Sequence, residues 1–197
     1  MKTWVITGGA ASGKSSFCQH LLTLEPAAVL FSSDEAVHEI FSNKVIAQQV
    51  ARIFDSSVLD GTGAVDRAIL RGKAFADDKA RLKLESLIHP LVYENLERGR
   101  LAASEKGVQL FIAEIPLFYE CGTKLQADLV ILVAAGDAFQ RRRLMEQRGL
   151  DSDATQRILS AQLPLERKLE LAQSVVWNEG GPELLQAQAQ LILKQYF

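Results

Sequence analysis

The chain has 197 residues, of which 48% are hydrophobic and 23% charged, enough for a single folding unit but not for two independent cores. A formal net charge of −2 offers no broad basic field for a nucleic-acid backbone, so nucleic acid is not an expected partner and any bound anion is held locally. Only Cys18 and Cys121 are present, without CxxC or CxxH spacing, so neither a disulfide framework nor a structural zinc site is supported, and a reduced, cytoplasmic setting fits.

In chain order, "TWVIT" (3–7) is a short apolar run that predicts a buried parallel strand, and it stops too early to be a signal-peptide core. "GGAASGKSS" (8–16) follows it directly, and 15–24 has the spacing of a helix, with Phe17, Leu21 and Leu22 placed to pack on a sheet. "AAVLF" (27–31) predicts the second strand. The polar, helical stretch 34–106 is far longer than one crossover requires, so part of it reads as a helical insertion over one sheet edge, a candidate substrate cover. "QLFIAE" (109–114) and "DLVILVA" (128–134) predict two further strands; "LFIAEIPLF" (110–118) carries Glu114 and Pro116 mid-run and cannot span a bilayer. Helices are expected over 138–148 and 153–172, and "SVVW" (174–177) is a fifth candidate strand. Strands alternating with helices imply right-handed crossovers and a parallel sheet covered on both faces, an α/β fold.

"GGAASGKS" fits the pattern GxxxxGK followed by Ser or Thr, with Gly8, Gly13, Lys14 and Ser15 in register between a strand and a helix. Glycines let backbone N–H groups turn inward around an anion, and the helix that follows adds its positive dipole end. Phosphate is the natural guest. Residues Gly9, Ala10, Ala11, Ser12, Gly13, Lys14, Ser15 and Ser16 are the expected ATP-binding loop; Lys14 reaches the terminal phosphates and the Ser15 hydroxyl is the candidate ligand of Mg²⁺.

In such a sheet every strand ends on the same edge, where ligands sit. Asp34 falls just past the second strand, where a base for the acceptor is wanted; equally, Ser32 and Glu35 make an S-x-x-E capping box with Asp34 in the helix's first turn, and residue position leaves both readings open. Glu114 ends the third strand at the same edge, where a carboxylate holds Mg²⁺ through its water shell, contacts the acceptor, or merely pairs with a lysine. "QRRRLMEQRGL" (140–150) puts four arginines on one helix, a solvated face or a source of mobile cations for a transferring phosphoryl group. His89 precedes Pro90, which is expected to end a helix there, and His89 reads as structural.

Together these segments resemble the dephospho-CoA kinase family, whose members phosphorylate the ribose 3′-hydroxyl of dephospho-CoA with ATP. Beyond the phosphate loop the likeness runs through "SSDEAVHEI", "GAVDRAILRGKAF", "LIHPLV", "EIPLFYECG", "QRRRLMEQRGL", "RILSAQLPLERK" and "VVWNEGG", in family order and spacing. The resemblance implies a three-layer P-loop kinase fold with a five-stranded parallel sheet, all within a single kinase domain, 1–197. Within it, 1–34, 107–137 and 173–197 would form the nucleotide-binding core, 35–106 a helical acceptor subdomain and 138–172 a lid. It implies that Asp34 is the general base, Lys14 the phosphate lysine, Arg143 and Arg148 lid cations over ATP, and Asn178 a loop residue beside adenine. Arg67, His89 and Glu114 are implied on the acceptor side. ATP, Mg²⁺ and dephospho-CoA are the implied ligands, with no membrane partner and a monomer or weak homo-oligomer as the expected state. Departures from the family pattern are Ser32 for a first aspartate, which leaves the base role to Asp34, Ala11 for a loop glycine, expected to stiffen the loop, and Gln173 for an aspartate.

Two other readings of the loop stay open: a kinase for another small alcohol, and a regulatory nucleotide switch. The second is disfavoured because "NKVI" (43–46) and "TKLQ" (123–126) lack the final aspartate of a guanine-reading NKxD element.

Overall fold

In the computed structural model, which describes every residue except Thr123, Lys124 and the side chain of Phe75, the apolar runs pair as a sheet. Strands β1 (Lys2–Thr7), β2 (Val29–Ser32), β3 (Leu110–Glu114), β4 (Leu129–Ala134) and β5 (Ser174–Trp177) lie in the order β2-β3-β1-β4-β5, all parallel. The second strand begins at Val29 rather than residue 27 because the Ala28 N–H is taken by the Glu25 carbonyl in the turn that leaves the preceding helix.

Both faces of the sheet are covered, which is why its strands read as unbroken apolar runs rather than alternating ones. Trp4 and Ile6 face a core built with Phe17, Cys18 and Leu21 of α1 (Lys14–Leu24) and Leu185, Ala189 and Ile192 of α9 (Pro182–Tyr196). Val5 and Thr7, which point the other way by strand alternation, are equally inaccessible. Helices α6 (Asp137–Arg148), α7 (Ser152–Ser160) and α8 (Leu165–Leu171) connect β4 to β5, with α8 against β4.

The expected single helix over 153–172 is therefore two. Asp151 caps α7 by accepting the Ala154 N–H, and the turn at 161–164 ends at Pro164, whose fixed φ and missing N–H suit the entry to α8.

The chain divides into two compact units, residues 1–32 with 101–197, and 33–100. The second comprises α2 (Ser33–Ser42), α3 (Lys44–Ile53), a 3₁₀ turn (Ser56–Val58), α4 (Arg67–Ala76) and most of α5 (Asp78–Glu105) around Ile40, Phe41, Val50, Val58, Val65, Leu70 and Ile88. Its helix starts are cut by side chains: Asn43 Oδ1 accepts from Val45 and Ile46, and Asp66 Oδ1 from Ala68 and Ile69. Asn43 of the "NKVI" tetrapeptide is thus a cap; the "TKLQ" tetrapeptide starts outside the described residues.

Pro90 does not end a helix; it lies within the 28 residues of α5, and His89 is exposed mid-helix. An interior proline costs about 3 kcal/mol. Here Leu84, Leu87 and Ile88 before it and Leu91 and Val92 after it pack into one core, so the helix is held on both sides of the defect.

Candidate active site

The loop after β1 is placed where the chain's course reverses: from β1 it runs first to β2 and β3 on one side, then to β4 and β5 on the other. That is the crevice position at which open parallel sheets bind ligands. Lys14 opens α1, and its Nζ donates to the Gly9 carbonyl at 2.9 Å, folding the ammonium back over the loop. Gly13 stands before it with φ +95°, and a Cβ built there would lie 1.9 Å from Asn178 Nδ2. Ala11 takes φ +55°, a left-handed conformation costing an L-residue about 1–2 kcal/mol, so the loop stores strain at this residue.

The Ala11 and Ser12 carbonyls of the loop are tied down by side chains from α6 and from the residue after β5. Arg143 of α6 donates from one terminal nitrogen to Ala11 O (3.1 Å) and Ser12 O (3.4 Å), and from the other to Asn178 O (2.7 Å). Asn178, buried just past β5, donates its Nδ2 to Ser12 O at 2.8 Å and its own N–H to Ala134 O at 2.8 Å. Burial, then the neighbouring Arg142, pulls the Arg143 pKa below the ordinary guanidinium value, with Glu179 opposing. The buried Ser12 hydroxyl has no hydrogen-bond partner among the described residues.

Glu114, at the end of β3 and buried, accepts a hydrogen bond from Ser15 Oγ at 2.7 Å. Its strand register puts it beside Ile6 on one side and Ser32 on the other. The structure therefore joins Glu114 to the loop's Mg²⁺ candidate within the first unit. Beneath them, burial and the Glu114 charge push the Cys18 thiol far up, with Lys14 opposing, so it stays protonated; it is a packing residue of the core. Neither cysteine is in a disulfide.

A hydroxyl and a buried carboxylate form a hard oxygen set that fits Mg²⁺. Among the described residues no group of three or more His, Cys, Asp or Glu could hold a metal ion.

The arginines of α6 diverge. Arg141 bonds to Asp137 and Gln156, Arg142 lies over the Phe139 ring at 5.1 Å, Arg143 grips the loop, and Arg148 is exposed in the last turn. Ser16 is exposed on α1. Asp34, in the first turn of α2, Arg67, the first residue of α4, and His89 belong to the second unit and are all exposed there. Gln173 accepts the Val130 N–H at 2.7 Å.

Sequence reading misses three contacts. Gln140 Nε2 donates to Ala10 O (2.8 Å), Gln162 Oε1 accepts from Ala10 N (3.0 Å), and Glu120 pairs with the buried Lys168 (2.7 Å). Glutamines carry no motif signature, and an ion pair 48 positions apart in sequence shows no periodicity.

Gly13→Ala is expected to lower the melting temperature by about 2–8 °C, from about 1–2 kcal/mol of left-handed strain, and to abolish nucleotide-dependent stabilisation because Asn178 must leave Ser12. Thermal unfolding with and without ATP checks both.

No helix among the described residues is long and apolar enough to cross a membrane. The sequence profile described as dephospho-CoA kinase matches residues 3–183. A dephospho-CoA kinase of Anaeromyxobacter dehalogenans is 37% identical over 195 residues, spanning 98% of this chain and 91% of its own. The crystal structure of TT1252 from Thermus thermophilus superposes with a TM-score of 0.82 at 28% identity, covering 100% of this chain and 98% of that one. The dephospho-CoA kinase of Campylobacter jejuni gives 0.64 at 23% identity over 99% and 97%, a likeness of fold. With the phosphate loop, the parallel sheet and the full-length match in agreement, the chain belongs to the dephospho-CoA kinase family.

Proposed function

We propose that this chain transfers the γ-phosphoryl group of ATP to the ribose 3′-hydroxyl of dephospho-CoA, giving CoA and ADP. The observation that carries the reading is the loop after β1, with Lys14 folded over it and the Ser15–Glu114 pair at its edge, in a chain that matches the family nearly end to end.

Phosphoryl transfer asks little covalent chemistry of a protein; positioning and charge do the work. The loop N–H groups and the α1 dipole bind the ATP phosphates, and Lys14 leaves the Gly9 carbonyl to meet them. Arg143 and Asn178 hold the Ala11 and Ser12 carbonyls of the loop, and Asn178 would lie beside the adenine of ATP. Ser15 and Glu114 would hold Mg²⁺, whose charge would offset that of the ATP phosphates. Arg148 supplies a mobile guanidinium from the lid, 138–172.

On the acceptor side, residues 35–106 bind dephospho-CoA, with Arg67 and His89 offering donors to its phosphates. Asp34 takes the proton of the 3′-hydroxyl as that oxygen attacks phosphorus. Support for this role comes from position in the chain: Asp34 comes two residues after Ser32, the last residue of β2, and open parallel sheets bind their ligands past the carboxyl ends of the strands. Enclosure of the phosphates by the lid keeps water from taking the phosphoryl group. The enzyme works in the cytoplasm on these two small-molecule substrates, as a monomer or weak homo-oligomer.

A coupled assay of ADP release, run with dephospho-CoA beside adenosine and pantetheine, tests the reading. ADP should appear with dephospho-CoA alone. Equal turnover with adenosine would point to a kinase for other alcohols, and ATP turnover that ignores all three would point to a nucleotide switch.

A further inference from the structure

The peptide unit between Gly9 and Ala10 is gripped at both ends. Its carbonyl, Gly9 O, accepts from Lys14 Nζ at 2.9 Å and from Ser12 N at 3.2 Å. Its N–H, on Ala10, donates to Gln162 Oε1 at 3.0 Å. The next carbonyl, Ala10 O, accepts from Gln140 Nε2 at 2.8 Å. Because a peptide is planar, whatever fixes the Ala10 N–H also fixes the direction of the Gly9 carbonyl, and therefore the place at which the Lys14 ammonium rests.

Gln162 is well supported for such a task. It sits in the turn between α7 and α8, and the next residue is anchored: Leu163 N donates to Glu120 Oε1 at 3.0 Å, and that same oxygen pairs with the buried Lys168 at 2.7 Å. A side chain aimed by a braced turn is preorganised. A Cβ built on Gly9 would meet the flexible end of Gln140, 2.1 Å from its Nε2, and would lie at ordinary contact distance, 3.4 Å, from Gln162 Oε1.

We propose that Gln162 is a positioning residue that acts through Lys14, its side-chain carbonyl holding the Gly9–Ala10 peptide plane so that the ammonium is parked ready for the ATP phosphates. The proposal rests on the ATP-binding part of the reading above, and not on the identity of the acceptor.

The test is a double-mutant cycle on equilibrium binding of ATP and of inorganic tripolyphosphate, which probes the anion cradle without a nucleoside. Gln162→Leu, which cannot accept the hydrogen bond, should weaken both ligands about 3- to 10-fold while leaving KM for dephospho-CoA within about twofold. Lys14→Ala should weaken them further. The combined variant should be no weaker than Lys14→Ala, because Gln162 has nothing left to position. Should leucine unfold the turn, Gln162→Asn, an amide one methylene shorter, runs the same cycle. Wild-type affinity in the Gln162 variant, losses that multiply in the combined variant, an equal loss for the acceptor, or a wild-type chain that binds neither ligand would each overturn the proposal. Tripolyphosphate binding without phosphorylation of dephospho-CoA would instead sink the proposed acceptor and leave the role of Gln162 standing.

Discussion

Turnover is expected to fall by about 10²- to 10⁴-fold in Asp34→Asn, the usual weight of a general base, while ATP affinity stays within about twofold of wild type. Asparagine keeps the size of the side chain and suits a helix start almost as well as aspartate, so α2 and the core around Ile40 and Phe41 should form unchanged. What is lost is the capacity to take a proton. Residue 32 is a serine, so no carboxylate two positions before Asp34 shares the task. Steady-state kinetics together with nucleotide binding measured alone separates the two effects. Unimpaired turnover would remove Asp34 from the role of base and return it to the helix-start reading that its position also allows.

A second large effect is expected at Lys14. Lys14→Ala removes the cation that the loop holds over the Gly9 carbonyl and should cost about 10²–10³ in kcat, the range seen when one preorganised donor to a developing anion is deleted. Lys14→Arg should not restore activity. Lys14 is only 8% exposed, and a planar guanidinium cannot enter the space of a point-like ammonium without displacing the Gly9 carbonyl. Kinetics of both variants against ATP concentration checks this; arginine at wild-type activity would mean that charge alone suffices there.

The positions of the strands were legible because each carries a short apolar run, the signal left by a sheet covered on both faces, whereas their order β2-β3-β1-β4-β5 came only from the structure. The loop was legible because an anion cradle needs Gly13 at φ +95° and a lysine at the helix start, requirements that leave a fixed spacing in the chain. Less legible were features that depend on what packs against them. Pro90 reads locally as a stop, yet α5 runs through it because its flanking leucines share a core. The stretch 153–172 reads as one helix, yet it breaks at 161–164, where Glu120 takes the Leu163 N–H. Arg143 looked like a cation for the ligand; its hydrogen bonds go to three carbonyls of the protein. Gln140 and Gln162 carry no pattern at all.

Everything proposed for Lys14, Ser15, Asp34 and Arg148 converges on the fate of one phosphorus atom. Phosphorus NMR of the products formed from ATP and dephospho-CoA follows that atom directly. A new monoester signal on the ribose 3′-oxygen, appearing in step with ADP, is the expected result. Inorganic phosphate in its place, or a phosphoryl group on any other oxygen of the acceptor, would contradict the account.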